Sequence, residues 1–373
     1  CADKSVKGAV LFTAGYKELG TFKGRRLEEE LRRTAQAGGM RLIGPNCMGI
    51  YAPRSGLSFF PGLSTKPGSV GIISNSGSLA NILCRHAPEK GLYFSAAVSL
   101  GNECDLSSSD FLAWLGDDPH TKVIGAYLES VSDGSRFLET VRNISSKKPV
   151  ILWKVGLTSE GRKAASSHTG ALGGSAPLWH GVVRQTAAVP VSGFEAWVDM
   201  LMGFSLLPSY LGQRIAIISG PGGLAVSAAE ACGHQGLTLA ELSEETIERL
   251  RTVVPPTGTS LSNPVDVGLT ASLAMDIYIE SARAIAADPG VDALFVIGMG
   301  MDDETNRLYT ESMIQTQRNS NKPLVVITIP GFDPKLTRVF LEAGLPCFET
   351  AERAFAVYAR VLEYRRRSKN LPA

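Results

Sequence analysis

The sequence is short of the residues and patterns that mark several common chemistries. Its 373 residues hold five histidines and six cysteines, with no Cys-x-x-Cys pair and no His/Cys ligand spacing, which argues against a zinc-organised fold. Cys1, Cys47, Cys84, Cys104, Cys232 and Cys347 are widely scattered, the pattern of free thiols in a reducing cytosol and not of a disulfide framework. Charge of either sign is not in excess: 37 basic residues face 36 acidic ones, so the net charge of +1 offers no field for nucleic acid. The one dense basic cluster, Arg365-Arg366-Arg367 with Lys369, reads as a solvated helix end. No apolar run is long enough to span a bilayer and no charged-then-apolar leader opens the chain, so a cytoplasmic protein without membrane contact is expected. There is no GxGxxG followed by an acidic residue, which argues against a nicotinamide dehydrogenase, and no GxxxxGK[ST] loop.

What the sequence does hold is apolar runs alternating with helical patterns. A hydrophobic fraction of 44% with 39 glycines fits a globular α/β chain with many tight turns, and its length calls for two or three units. Residues 8–13 read as a buried strand, 25–36 as an amphipathic helix and 40–43 as the next strand, one βαβ piece that normally belongs to a larger sheet. The stretch 51–67, rich in Pro, Gly and Ser, reads as a linker. A second unit opens with the strand 69–74, breaks at Asn75-Ser76-Gly77-Ser78 into a helix, and continues through apolar runs at 96–100, 123–128 and 149–155. A helix near 194–207 and the Pro208-Ser209 break follow. The third unit repeats the device with the strand 214–219, the turn Gly220-Pro221-Gly222-Gly223 and a helix, then strands at 293–298 and 324–329. Two tandem flavodoxin-like doubly wound sheets are expected.

In open parallel sheets a ligand sits beyond the carboxyl ends of the strands, where helix N-termini present N–H groups to an anion. Both glycine-bearing turns qualify, and Ser76-Gly77-Ser78 is the better candidate because its hydroxyls add donors. The same sequence also serves simply as a tight turn and N-cap. His168 lies among Ser166, Ser167, Thr169, Gly170, Gly173 and Gly174, small residues that favour a flexible loop with an exposed imidazole. Spacing alone leaves it open whether that histidine is reactive or an idle surface residue.

Six runs in order carry a resemblance: Gly44-Pro45-Asn46-Cys47, Ser74-Asn75-Ser76-Gly77-Ser78-Leu79, Ser99-Leu100-Gly101-Asn102, Tyr127-Leu128-Glu129, Ser167-His168-Thr169-Gly170-Ala171-Leu172 and Asn263-Pro264-Val265-Asp266. Together they resemble the ADP-forming acetyl-CoA synthetases, relatives of the succinyl-CoA synthetase α subunit, over nearly the whole chain. The resemblance implies a partial Rossmann-like CoA-binding unit with its linker at 1–66, a flavodoxin-like domain carrying the phosphohistidine at 67–208, and a second flavodoxin-like domain at 209–373. It implies that His168 takes a phosphoryl group from an acyl phosphate and passes it to a nucleoside diphosphate, and that Glu129 steadies the histidine ring. A carboxylate accepting one ring N–H would fix the tautomer and leave the other nitrogen as nucleophile. Ser76, Gly77 and Ser78 would hold the phosphate. Asn46 and Cys47 are placed near the CoA thiol, though Cys47 reads equally as a small buried hydrophobe. Asn263 to Asp266 is expected to form a turn supporting the interface between units.

The family's first CoA-binding strand and glycine-rich turn have no counterpart here, the chain opening on Cys1 already inside an α/β pattern. With no ATP-grasp domain evident after the third unit, a partner subunit or domain carrying ATP or ADP with Mg2+ is implied, in an oligomer. The expected substrates are acyl-CoA and phosphate, with CoA bound in passing and no metal site of the chain's own. The alternative is a non-catalytic acyl-CoA-sensing module.

Overall fold

Among the described residues, short apolar strands broken by glycine-led turns build three sheets of two, six and six strands, parallel apart from one pairing within the sheets and two isolated bridges. The structure, a computed structural model, describes residues 1–169, 174–209, 211–298 and 300–370, with the side chains at 2, 166–169 and 370 outside that description. It divides into two compact units, Cys1–Leu201 with Tyr364–Ala373, and Met202–Glu363.

In the first unit, β1 (Gly8–Val10) pairs in parallel with β2 (Arg41–Ile43) across the helix α1 (Phe22–Ala37). Thr21 starts α1, its hydroxyl accepting the Gly24 N–H at 3.0 Å. Leu42 at 1% exposure packs with Ala35 and Met40 in a small core. The six-stranded sheet follows, made of β3 (Gly49–Tyr51), β4 (Val70–Ser74), β5 (Phe94–Ser99), β6 (Val123–Leu128), β7 (Val150–Lys154) and β8 (Val189–Val191). Its order is β3-β5-β4-β6-β7-β8, and only the edge pair β3·β5 is antiparallel. Apart from β3, this is the 2-1-3-4-5 order of a flavodoxin-type sheet, whose direction reverses between β4 and β6.

Helices α2 (Gly77–His86), α3 (Ser108–Asp117), α4 (Gly134–Ser145), α5 (Ser159–Thr169) and α6 (Ala176–Gln185) connect these strands, and α7 (Phe194–Leu206) leaves the last of them. Continuous apolar strands such as Val70–Ser74, buried at every position, are what a sheet covered on both faces requires. Gly125 is needed in β6 because a Cβ there would meet Trp197 and Leu201 of α7 at 3.2 and 3.1 Å.

Three expectations are corrected. The supposed linker at 51–67 begins in a strand: Tyr51 closes β3, and its hydroxyl donates to the Ser64 carbonyl, tying the stretch down. The backbone of His168 belongs to α5, not to a loop, since Arg162, Lys163, Ala164 and Ala165 are good helix formers that carry the helix on through the serines. The basic cluster is not simply solvated. Arg367 donates to the Val183 and Thr186 carbonyls at 2.8 and 2.6 Å, closing the C-terminal end of α6.

The second unit holds β9 (Arg214–Ser219), α8 (Gly222–His234), β10 (Thr238–Leu239), α9 (Glu244–Val253), β11 (Val265–Asp266), α10 (Met275–Ala287), β12 (Ala293–Ile297), α11 (Asp303–Asn319), β13 (Leu324–Ile327), α12 (Pro334–Glu342), β14 (Cys347–Phe348) and most of α13 (Ala351–Asn370). Its main path, β10-β9-β12-β13-β14, has the same relative order, with β11 added beside β9. Asn263 serves this sheet: its amide accepts from Ile217 N at 2.9 Å and donates to the Ile215 and Ala240 carbonyls at 2.7 and 2.9 Å. In the run Asn263 to Asp266, this asparagine is thus a stitch within its own unit. Among the described residues, no helix is long and apolar enough to cross a membrane.

Candidate active site

The strand order of the first unit puts its crevice between the ends of β4 and β6, and two of the expected site elements lie there. After β4 the Ser74 hydroxyl donates to the Ser76 carbonyl at 2.7 Å and accepts the Ser76 N–H at 3.2 Å, turning the chain sharply. Ser76 is the N-cap of α2, its hydroxyl accepting from Leu79 N at 3.4 Å and lying 3.3 Å from the Ser78 hydroxyl. The Gly77 and Ser78 N–H groups lie in the first helical turn, where the backbone supplies no acceptor. With two hydroxyls and the positive end of the helix, the turn suits an anion. Gly77 has to be glycine, because a Cβ there would come 2.0 Å from Met48 Cγ.

Glu129 is the first residue past β6, and the Glu129 side chain is held in an unusual state. The residue is 8% exposed, and its Oε2 is buried without a hydrogen-bond partner. Its backbone is fully engaged: the N–H donates to Asn75 Oδ1 at 2.9 Å and the carbonyl accepts from Lys154 Nζ at 2.9 Å. Tyr127, two residues earlier on the same face, is pushed up to about 12 by burial and then by the Glu129 carboxylate. Lys154 is pulled down by burial, with the charge of Glu129 opposing that shift.

Ser76, Tyr127 and Glu129 line one cleft of about 570 Å³, completed by Val155, Gly161, Ala164 and Ala165. The last three lie on α5, so this helix forms one wall of the cleft. Position 168 follows 161, 164 and 165 by seven, four and three residues, which puts it on the same stripe of the helix. The His168 side chain itself lies outside the described residues.

The other two site candidates separate. Asn46 has a left-handed backbone, φ 56°, and its amide donates to Asn102 Oδ1 at 3.3 Å. Met48, two residues on, packs against Gly77, which brings this segment beside the anion-suited turn. Cys47 instead packs in the core at 3% exposure, its thiol donating to the Leu11 carbonyl at 3.2 Å, and burial pushes that thiol up. Among the described residues, no group of His, Cys, Asp and Glu is placed to hold a metal ion.

Sequence reading missed Met48, Asn75, Tyr127 and Lys154 as parts of this site. Asn75 and Tyr127 stood inside quoted runs, but nothing local says which backbone an amide or a ring will meet. Lys154, a charged residue ending the apolar run 149–155, was the available signal, since a lysine in a buried strand needs a partner.

Comparison with known proteins shows the family. A family described as the succinyl-CoA ligase like flavodoxin domain matches residues 67–204, and the Ligase-CoA domain matches residues 215–326. The α subunit of ADP-forming acetate–CoA ligase II from Pyrococcus furiosus is 35% identical over 370 residues, covering 97% of this chain and 79% of that subunit. The ADP-forming acetate–CoA ligase of Methanocaldococcus jannaschii is 34% identical over 98% of this chain, which spans only 52% of that longer protein. Among solved structures, the dinucleotide forming acetyl-coenzyme A synthetase 1 of Ca. Korarchaeum cryptofilum, in complex with phosphate and ADP, superposes with a TM-score of 0.87 at 29% identity, covering 99% of this chain and 80% of that one.

Proposed function

This chain belongs to the ADP-forming acyl-CoA ligases, as the α-type part of such an enzyme, and from that premise we propose that it works through a phosphohistidine at His168. Phosphate displaces CoA from an acyl-CoA to give an acyl phosphate. A ring nitrogen of His168 takes the phosphoryl group and releases the carboxylate, and a nucleoside diphosphate then accepts that group to become the triphosphate. Glu129 holds the opposite ring N–H, keeping the attacking nitrogen unprotonated. Ser76, Gly77 and Ser78 bind the phosphoryl oxygens, with α2 end-on to the charge.

The observation that carries the reading is the unpartnered Oε2 of Glu129, buried in the cleft that Ser76 also lines and that the stripe of α5 bearing position 168 walls. A buried carboxylate oxygen without a donor costs about 1–3 kcal/mol, and an imidazole N–H arriving at that oxygen removes the cost. Asn46 and Cys47 are assigned to the CoA side, Asn46 as a direct contact and Cys47 as the packing beneath it. We assign residues 1–66 to a partial Rossmann-like CoA-binding unit and 67–208 and 209–373 to two flavodoxin-like domains. The nucleotide, with Mg2+, is brought by an ATP-grasp-type subunit or domain.

The test is phosphoryl labelling of the chain together with that partner, from acyl-CoA and radiolabelled phosphate or from ATP. Acid-labile label is expected on the wild type and none on His168→Ala. Equal labelling of the two, or CoA binding with no label under any condition, would leave a sensing module as the better reading.

A further inference from the structure

We propose that Asn75 and Lys154 are positioning residues that grip the backbone N–H and carbonyl of Glu129 and so set its carboxylate, with Oε2 unpartnered, at the cleft. The inference rests on the reading that Glu129 steadies His168 and adds what holds Glu129.

The ladder between β6 and β7 ends at the pair Leu128 and Lys154, so Glu129 is the first residue with no sheet partner for its backbone. It is nevertheless buried, and a buried N–H or carbonyl must find a partner. Here side chains replace the missing strand. Asn75 Oδ1 accepts the N–H at 2.9 Å, and the Lys154 ammonium donates to the carbonyl at 2.9 Å and to the Val155 carbonyl next to it.

Neither grip is loose. The Asn75 N–H donates to the Tyr127 carbonyl at 3.1 Å, and its Nδ2 donates to Glu103 Oε1. A carboxylate only accepts, so it fixes which end of the amide is nitrogen and turns the oxygen toward Glu129. Glu103 is itself held by the Ser108 N–H at 3.1 Å, on a left-handed backbone of φ 52° that few side chains adopt. Lys154 is 9% exposed, and an apolar side chain of its length would fill the same space without a donor. Two polar side chains, one from the turn after β4 and one from β7, thus converge on the backbone of one residue, and the Oε2 of that residue is left without a partner. That pattern fits a group held ready for a ligand, because closing a sheet edge alone gives no reason to strand the carboxylate.

The test is a double-mutant cycle in the complete complex with its nucleotide-binding partner, reading the single-turnover rate of phosphohistidine formation and the KM for acyl-CoA. Asn75→Ala and Lys154→Met are each expected to slow phosphoryl transfer about 10- to 100-fold with KM little changed, the cost of a misplaced group. In a Glu129→Ala background the same substitutions should slow it no more than about twofold further, since residues acting through one group do not add. Lys154→Arg, which keeps a donor, should recover part of the loss, and it carries the test if Lys154→Met fails to fold. A slow Glu129→Ala chain in which the other substitutions still cost their full factors overturns this proposal alone. A Glu129→Ala chain that labels at the wild-type rate overturns the functional reading, and this proposal with it.

Discussion

At the end of β4 the Ser74 hydroxyl donates to the Ser76 carbonyl at 2.7 Å, and at the end of β9 the Ser219 hydroxyl donates to the Pro221 carbonyl at 2.9 Å. Both segments then enter a helix on a glycine, Gly77 of α2 and Gly222 of α8. The backbone device is the same, and its loading differs. Ser76 caps α2 with its hydroxyl, whereas Pro221 has none to offer α8. A Cβ on Gly77 would come 2.0 Å from Met48 Cγ, while a Cβ on Gly222 would come 2.4 Å from the Asp266 carboxylate. The start of α8 therefore already has an acid of its own beside it, and the start of α2 faces a cleft lined with hydroxyl and carboxyl groups. Sheet topology supplies a crevice in each unit, and the side chains around it decide what that crevice can hold.

Four substitutions sharpen this contrast, beginning with the largest effect. Gly77→Val drives a branched side chain into Met48, and phosphoenzyme formation should fall by at least about 100-fold with a stability loss of about 1–3 kcal/mol in urea. Gly223→Ala, the control in the other turn, meets nothing within 4 Å and should stabilise by up to about 1 kcal/mol. A stable, fully labelled Gly77→Val chain would break the comparison.

Asn263 is the second unit's counterpart of Asn75, an asparagine whose amide bonds backbone groups, here those of Ile215 and Ile217 within β9 and of Ala240 after β10. Asn263→Ala strands three of those groups and should cost about 2–3 kcal/mol by urea unfolding, while the folded chain is labelled at close to the wild-type rate. If labelling falls as it does for Asn75→Ala, the two asparagines are not distinguished as argued.

The smallest effect is a dependence on pH. Burial pushes the Glu103 carboxyl above its ordinary 4.5, the hydrogen bonds from Ser108 and Asn75 only partly opposing it. The unfolded chain therefore releases this proton first, so the stability Glu103 contributes is present below about 4.5 and is lost as pH rises through the higher folded value. Glu103→Gln cannot titrate, and thermal unfolding from pH 4 to 7 should show the wild type losing ground to it as pH rises. Parallel curves would remove Glu103 as the titrating group.

Much of the fold was legible in the residues. The strands at 69–74, 123–128 and 214–219 and the helix near 194–207 stand close to where apolar period and glycine-led turns put them. Of the strands of two or three residues, β1 and β2 fall within the apolar runs 8–13 and 40–43, but β3, β8, β10, β11 and β14 were not legible, because so few residues carry no period and exist only through a neighbouring strand. The stretch around His168 misled for a related reason. Ser, Thr and Gly there favour turns on average, yet the helix begun at Ser159 runs on through Thr169.

For the site, the sequence by itself determined the chemical inventory: a histidine, a glutamate and a hydroxyl-bearing turn, in an order that resembles one enzyme family. It left Cys47 between a CoA-side residue and a small buried hydrophobe, and the structure finds it buried with a backbone bond at its thiol. Only the tertiary structure decided that Glu129 stands one residue beyond the ladder, that Asn75 and Lys154 take over its backbone bonds, and that its Oε2 is buried without a partner beside the cleft. The reason is physical. Residue type and period are local properties of the chain, but which buried polar group goes without a partner depends on every neighbour that folding brings within reach.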